Sequence, residues 1–188
     1  MCSLLSVMRN AQGEVAKYKV RLGARGDLQD PSTYGDTYAG AAQRKSVMLL
    51  LNLANYYDWQ IFTADITAAF LYGTLDKPIY MKLPDGRYVK LKKALYGLKQ
   101  AANKFAQHFK ASLRSLGFKQ IYSDGSTYVL KRGDKIMYIV NHVDDMLMTG
   151  NCPQMTSDAY TKLSKIYTMT FDLEATELLG FRIRRDRS

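Results

Sequence analysis

Two adjacent carboxylates, Asp144 and Asp145, stand where one apolar run (residues 138–143) meets another (146–148). Neighbouring like charges raise one another's pKa unless a cation compensates. Magnesium, which prefers carboxylate oxygens, is the usual compensation. An ordinary turn accounts for the same dipeptide, because aspartate favours turns in any case. Asp65 adds a third carboxylate, at the end of the β-rich run 59–64. If the strands bearing them are neighbours, three carboxylates meet at one sheet edge. Such a cluster can hold two magnesium ions for phosphoryl transfer, one lowering the pKa of an attacking hydroxyl and the other steadying a triphosphate and its leaving pyrophosphate.

The elements that must position these groups are legible in outline. Residues 17–25 read as a basic strand, followed by a loose stretch, 26–40, rich in Gly, Asp, Ser, Thr and Tyr. Val47, Leu50, Leu51 and Ala54 recur at helical spacing, which predicts a buried helix over 44–57. Residues 59–67 form a core strand, and runs 79–83 and 88–91 flank Pro84-Asp85-Gly86 as a hairpin. Ala102, Phe105, Phe109, Leu113 and Leu116 share one face of a helix over 99–116, closed by Gly117. Strands at 127–130 and 136–143, a helix at 158–167 and a last strand at 178–183 complete the chain. From residue 59, with the hairpin set aside, the order is β-α-β-β-α-β. That is an α+β fold, a split antiparallel sheet with both helices on one face and the other face open.

With 47% apolar and 23% charged residues in 188, the chain can bury a core. Its 27 Lys and Arg against 17 Asp and Glu leave a net charge of +10, which favours a polyanionic partner, nucleic acid first. No run approaches the ~18–20 apolar residues of a membrane helix, so no membrane partner is expected. The N-terminus lacks a basic region ahead of its apolar residues and makes a poor signal peptide. Two cysteines, Cys2 and Cys152, and two distant histidines, His108 and His142, provide neither a disulfide framework nor a zinc motif. The expected setting is therefore inside the cell, cytoplasmic or nuclear.

Asp65-Ile-Thr-Ala-Ala-Phe-Leu71, Ile79-Tyr-Met-Lys82, Leu91-Lys-Lys-Ala-Leu-Tyr-Gly-Leu-Lys-Gln100 and Val143-Asp-Asp-Met-Leu147 together resemble the reverse transcriptase of copia-type LTR retrotransposons. Lys17-Tyr-Lys-Val-Arg-Leu22 and Leu178-Leu-Gly-Phe-Arg-Ile183 also fit, so the resemblance runs from about residue 8 to 187. It implies an RNA-directed DNA polymerase palm over 59–188, with an inserted hairpin (78–92) on the fingers side and a fingers-like segment at 1–58. The implied substrates are dNTPs and an RNA or DNA template with its primer, and the implied cofactor is two Mg2+ ions, or Mn2+ in their place. The thumb and RNase H regions normally belong to the same polyprotein.

Carried over by residue, the resemblance makes Asp65 and Asp144 the main metal ligands, with Asp145 and the Ile66 carbonyl in support. Phe70 becomes the aromatic gate under the incoming sugar, excluding a 2′-hydroxyl by clash. Lys19, Arg21 and Arg25 face the triphosphate, and Tyr96 and Gly97 abut nucleotide and template. Lys99, Gln100, His142 and Gly180 fall to template and primer, Gly180 at the primer-grip turn. The chain departs from the family pattern at His142, where an aromatic is common, at Ala102 (proline), at Phe105 (tryptophan) and at Asp27, an acid where an apolar residue is usual. Three other readings stand beside this one: an inactive retroelement fragment that only binds nucleic acid, an RNA-recognition module on the same frame, and an expressed relic that neither folds well nor functions.

Overall fold

The computed structural model describes residues 2–9, 13–173, 175, 177–178 and 181–185. In chain order its elements are β1 (Cys2–Arg9), β2 (Val15–Gly23), α1 (Arg44–Tyr56), β3 (Ile61–Ile66), β4 (Tyr80–Lys82), β5 (Tyr88–Lys90) and α2 (Ala101–Ser115). There follow β6 (Lys119–Ile121), β7 (Asp124–Arg132), β8 (Lys135–His142), β9 (Asp145–Gly150), α3 (Pro153–Leu163), β10 (Met169–Asp172), β11 (Glu177–Leu178) and β12 (Phe181–Arg182). Contacts divide the chain into two compact units, Met1–Ala39 with Phe70–Gln107, and Gly40–Ala69 with His108–Ser188. Helix α1 thus falls in the second unit, and the whole stretch 70–107, not the hairpin alone, in the first.

The first unit carries two antiparallel hairpins, β1–β2 and β4–β5. Its apolar centre is Ile79, Ala94, Leu98 and Ala101, against which Ala24, Phe70, Leu75, Leu91 and Leu95 pack. The loose stretch is ordered by side chains: Asp30 caps a short 3-10 turn (Pro31–Thr33) by accepting the Ser32 N–H at 2.8 Å.

The second unit is built on a six-stranded antiparallel sheet in the order β10-β3-β9-β8-β7-β6. One face carries Phe62, Ala64, Met146, Met148 and Ile139, all buried. Helices α2 and α3 cover it, Phe109 meeting Tyr128 edge-on at 6.2 Å and Tyr160 stacking on Phe171 at 4.2 Å. The opposite face is not open as expected. Val47 and Leu50 of α1 pack with Val140, Leu147 and Leu178, and Ile61 and Tyr138 join them. Helix α1 buries the stripe Val47, Leu50 and Ala54, while Met48 and Leu49 stay exposed, and the bare sheet face receives that stripe.

The final strand also differs from expectation. Strand β10 pairs with β3, where Phe171 stacks on Phe62 at 5.5 Å, while among the described residues β11 and β12 pair only with each other, antiparallel. Helix α3 begins at Pro153 rather than at 158; proline at the first helical position gives up an N–H that would be unpaired there anyway.

Candidate active site

The register of β3 against β9 sets Asp65 directly opposite Asp145, so both carboxylates emerge on the same sheet face. That is the face α1 covers, but the apolar cover reaches only as far as Val140 and Leu147; Asp65, Asp144 and Asp145 are half-buried. Asp144 occupies the two-residue turn joining β8 to β9, with His142 and Asp145 paired across it. Its carbonyl accepts the Ile66 N–H at 2.9 Å, tying the turn to the end of β3.

This turn is strained. Val143 has φ +61°, in the left-handed region that β-branched residues avoid, at a cost on the order of 1–3 kcal/mol. Ala68, three residues past Asp65, has φ +54°. Two such outliers beside three carboxylates are what a site held in place by its surroundings displays. The electrostatics agree. Burial pushes the Asp145 carboxyl above its ordinary range, the charges of Asp144 and then Asp65 push it further, and His142 opposes them. The Nδ1 atom of His142 is buried without a hydrogen-bond partner.

Three carboxylates are hard oxygen donors suited to magnesium, and the repulsion felt by Asp145 is what a divalent cation would relieve. The donor chemistry therefore fits the ion that the resemblance implies. The side chains as they stand are not preassembled: among the described residues no three acidic, His or Cys side chains stand close enough to hold a metal.

The remaining site residues of the sequence reading, apart from Gly180, lie in the first unit. Phe70 packs edge-to-face on Tyr96, ring centres 4.5 Å apart, at the rim of the apolar centre. The Tyr96 carbonyl accepts the Ala24 N–H at 2.7 Å. Gly97, at φ +88°, permits a close approach, but to protein: a Cβ there would stand 2.1 Å from the Ala24 carbonyl oxygen, and one on Gly26 would stand 1.9 Å from that of Gly97. The two glycines interlock the loop after β2 with the Tyr96–Gly97 turn.

Gln100 is only 3% exposed and accepts a hydrogen bond from the Gln29 side-chain amide at 3.0 Å, so it braces this turn from inside. Gln29 also accepts the Lys99 N–H at 3.0 Å and donates to Thr33 at 3.2 Å, leaving Lys99 on the surface. Gln29 had no signal in the sequence, being a polar residue in an aperiodic loop. Arg25 is engaged too: its guanidinium holds Asp27 in a two-pronged ion pair, with bonds of 2.8 and 2.5 Å, and keeps that carboxyl down at about 2. Lys19 and Arg21 lie in β2 opposite Ser6 and Leu4, with side chains outside the described residues, as is Gly180 altogether.

Comparison with known proteins then identifies the class. The family model "Reverse transcriptase (RNA-dependent DNA polymerase)" matches residues 5–188. The chain belongs to the reverse transcriptase family, and the copia-type resemblance carried by its motifs is borne out. It is 36% identical over 185 residues to the retrovirus-related Pol polyprotein from transposon RE1 of Arabidopsis thaliana, a match covering 94% of this chain and 13% of the relative. The corresponding protein of transposon RE2 from the same plant is 34% identical with the same coverage. That of transposon TNT 1-94 from Nicotiana tabacum is 28% identical over 98% of this chain and 15% of its own length. The chain thus spans about an eighth of these relatives. No solved structure matches it.

Proposed function

We propose that this chain carries out the nucleotidyl-transfer step of RNA-directed DNA synthesis, its second unit acting as a polymerase palm and its first contributing fingers elements. The observation that carries the reading is the register that sets Asp65 opposite Asp145, with Asp144 tied to the end of β3. In the reaction a primer 3′-oxygen attacks the α-phosphorus of a dNTP, a new P–O bond forms and pyrophosphate leaves. Asp65 and Asp144 would hold magnesium, or manganese, with Asp145 and the Ile66 carbonyl in support. When bound, the metal supplies positive charge that acidifies the 3′-hydroxyl and neutralises the triphosphate.

The chain's own groups do the rest. The Asp145 carboxyl, held protonated to a higher pH than usual, must ionise to take part, which ties activity to pH. Phe70, backed by Tyr96, presents the ring that selects a deoxy sugar. Arg25 reaches the triphosphate only by exchanging Asp27 for phosphate oxygens, with Lys19 and Arg21 as the further cations. Tyr96 and Gly97 shape the nucleotide side, Lys99 and His142 face template and primer, and Gly180 marks the primer grip. The template with its primer and the rest of a Pol polyprotein are the partners. Among the described residues no helix is long and apolar enough to cross a membrane, and we place the protein inside the cell.

Primer extension on an RNA template with magnesium tests this reading. Incorporation that Asp144→Asn abolishes is the expected result, and unchanged incorporation by Asp144→Asn refutes the site. Binding without catalysis is a second reading, favoured by the unassembled carboxylates and the Arg25–Asp27 pair. Hybrid binding with no magnesium-dependent incorporation by the unaltered chain selects it. An RNA-recognition module fares worse, because α1 covers the sheet face it would use.

A further inference from the structure

The β4–β5 ribbon leaves both of its tyrosines in water. Its register opposes Tyr80 to Lys90, Met81 to Val89 and Lys82 to Tyr88. In each strand the outer two residues are exposed and the middle one is half-buried. Alternation then gives Met81 and Val89 the inner face, while Tyr80, Lys82, Tyr88 and Lys90 share the outer one. Tyr80 is 65% exposed and Tyr88 72%. On this face ring and ammonium alternate both along each strand and across the ladder, and the Lys82 ammonium lies 5.8 Å from the centre of the Tyr88 ring. The Asp85 carboxylate in the turn is already neutralised by Arg87 at 2.7 Å.

Rings flanked by cations are poor company for an apolar protein surface. They suit a polymer whose every unit offers a flat π face and a phosphate. A duplex hides its base faces, so the complement is a single strand. The diagonal pair Tyr80 and Tyr88 stands about 7–8 Å apart, room for two bases splayed from one strand. We propose that the outer face of β4–β5 is a docking surface for single-stranded nucleic acid, Tyr80 and Tyr88 stacking on bases while Lys82 and Lys90 meet phosphates. The surface lies apart in sequence from the carboxylates and needs no catalysis; it rests on the proposed function only for the partner's class.

The test is equilibrium binding of a fluorescein-labelled 12-nucleotide oligouridine, followed by anisotropy across a salt series, with the full chain. Tyr80→Leu and Tyr88→Leu each weaken binding by roughly 5- to 100-fold, the range that loss of one stacked base implies. Tyr80→Phe and Tyr88→Phe keep the ring and bind as the unaltered chain does. The double change Lys82→Gln and Lys90→Gln lowers the magnitude of the log–log salt slope by about 1.4. Affinity for a blunt duplex stays within twofold in the tyrosine variants. Equal binding by the leucine variants, or a loss shared by the phenylalanine variants, overturns the proposal. Thermal unfolding of each variant separates lost docking from lost folding. Primer extension in parallel keeps the two readings apart: tyrosine-dependent binding without extension refutes catalysis alone, and Asp144-dependent extension with tyrosine-independent binding refutes this surface alone.

Discussion

Asp124 opens β7 yet serves α1, and its removal has a calculable cost. The residue is 4% exposed. Its carboxylate accepts the Gln43 N–H at the head of α1 (3.2 Å), the Ser126 N–H (2.9 Å) and the Thr127 hydroxyl (3.0 Å). Burial alone would raise its pKa, but hydrogen bonds from Ser46, Ser126, Gln43 and Thr127 outweigh it and lower the value. Asp124→Ala leaves the buried Ser126 and Thr127 donors and the less buried Gln43 and Ser46 donors without their acceptor, at about 1 kcal/mol each, and strips the α1 N-terminus of its anion. The expected loss is about 3–5 kcal/mol, a large share of the 5–15 kcal/mol typical of a domain. Asp124→Asn keeps one acceptor and loses about half of that.

The assay is urea unfolding followed by circular dichroism, in which the midpoint falls while the slope holds. The pH dependence carries a sign. A carboxyl whose folded pKa lies below its unfolded value contributes stability that is complete above the unfolded pKa, near 4, and is lost as pH falls through the folded one. The gap between Asp124→Asn and the unaltered chain therefore closes below about pH 4. An Asp124→Ala midpoint within ~0.5 kcal/mol of the unaltered chain at pH 7 refutes the claim that this carboxylate anchors α1.

Asp145 carries the opposite sign. Its raised pKa means that ionisation costs the folded state, so stability is fullest at low pH and declines as pH rises through that pKa. Asp145→Asn is expected to unfold at higher urea than the unaltered chain at pH 7, with the advantage vanishing as pH falls below about 4, the ordinary aspartate value. Gly97→Ala drives a methyl into the Ala24 carbonyl and holds an L-residue bearing a Cβ at φ +88°, in the left-handed region; it should cost at least ~1–2 kcal/mol, measured by thermal unfolding. Asp27→Asn releases Arg25 from its exposed ion pair and should lower the KM for dNTP in primer extension with little change in stability.

Much of the local structure was legible because it depends on neighbours in sequence. Helix α1 announced itself through Val47, Leu50 and Ala54, and the β4–β5 hairpin through Pro84-Asp85-Gly86 between two apolar runs. The motif blocks around Asp65, Tyr96 and Asp144 sufficed to name the family, because residue types at fixed order carry that information without coordinates. Strand β10 and the true start of α3 were less visible. Four residues of strand give too short an alternation to read, and Pro153 signals a helix start only once the helix is known to follow it.

What tertiary structure alone decided are the long-range partnerships. The register that sets Asp65 opposite Asp145 joins strands some eighty residues apart, and a slip of one residue would send one carboxylate to the opposite face, the one α2 and α3 cover. Helix α1 could have bared the sheet or covered it; only packing against Val140 and Leu147 settles that. The carboxylate of Asp124 reaches the head of α1 across 81 positions, and Gln29 reaches Gln100 across 71. Gly97 was legible as a residue that admits close approach, yet that its visitor is the Ala24 backbone depends on which distant loop arrives. Local propensity is a property of a few adjacent residues, whereas a hydrogen bond or a shared face belongs to whichever segments the fold brings together.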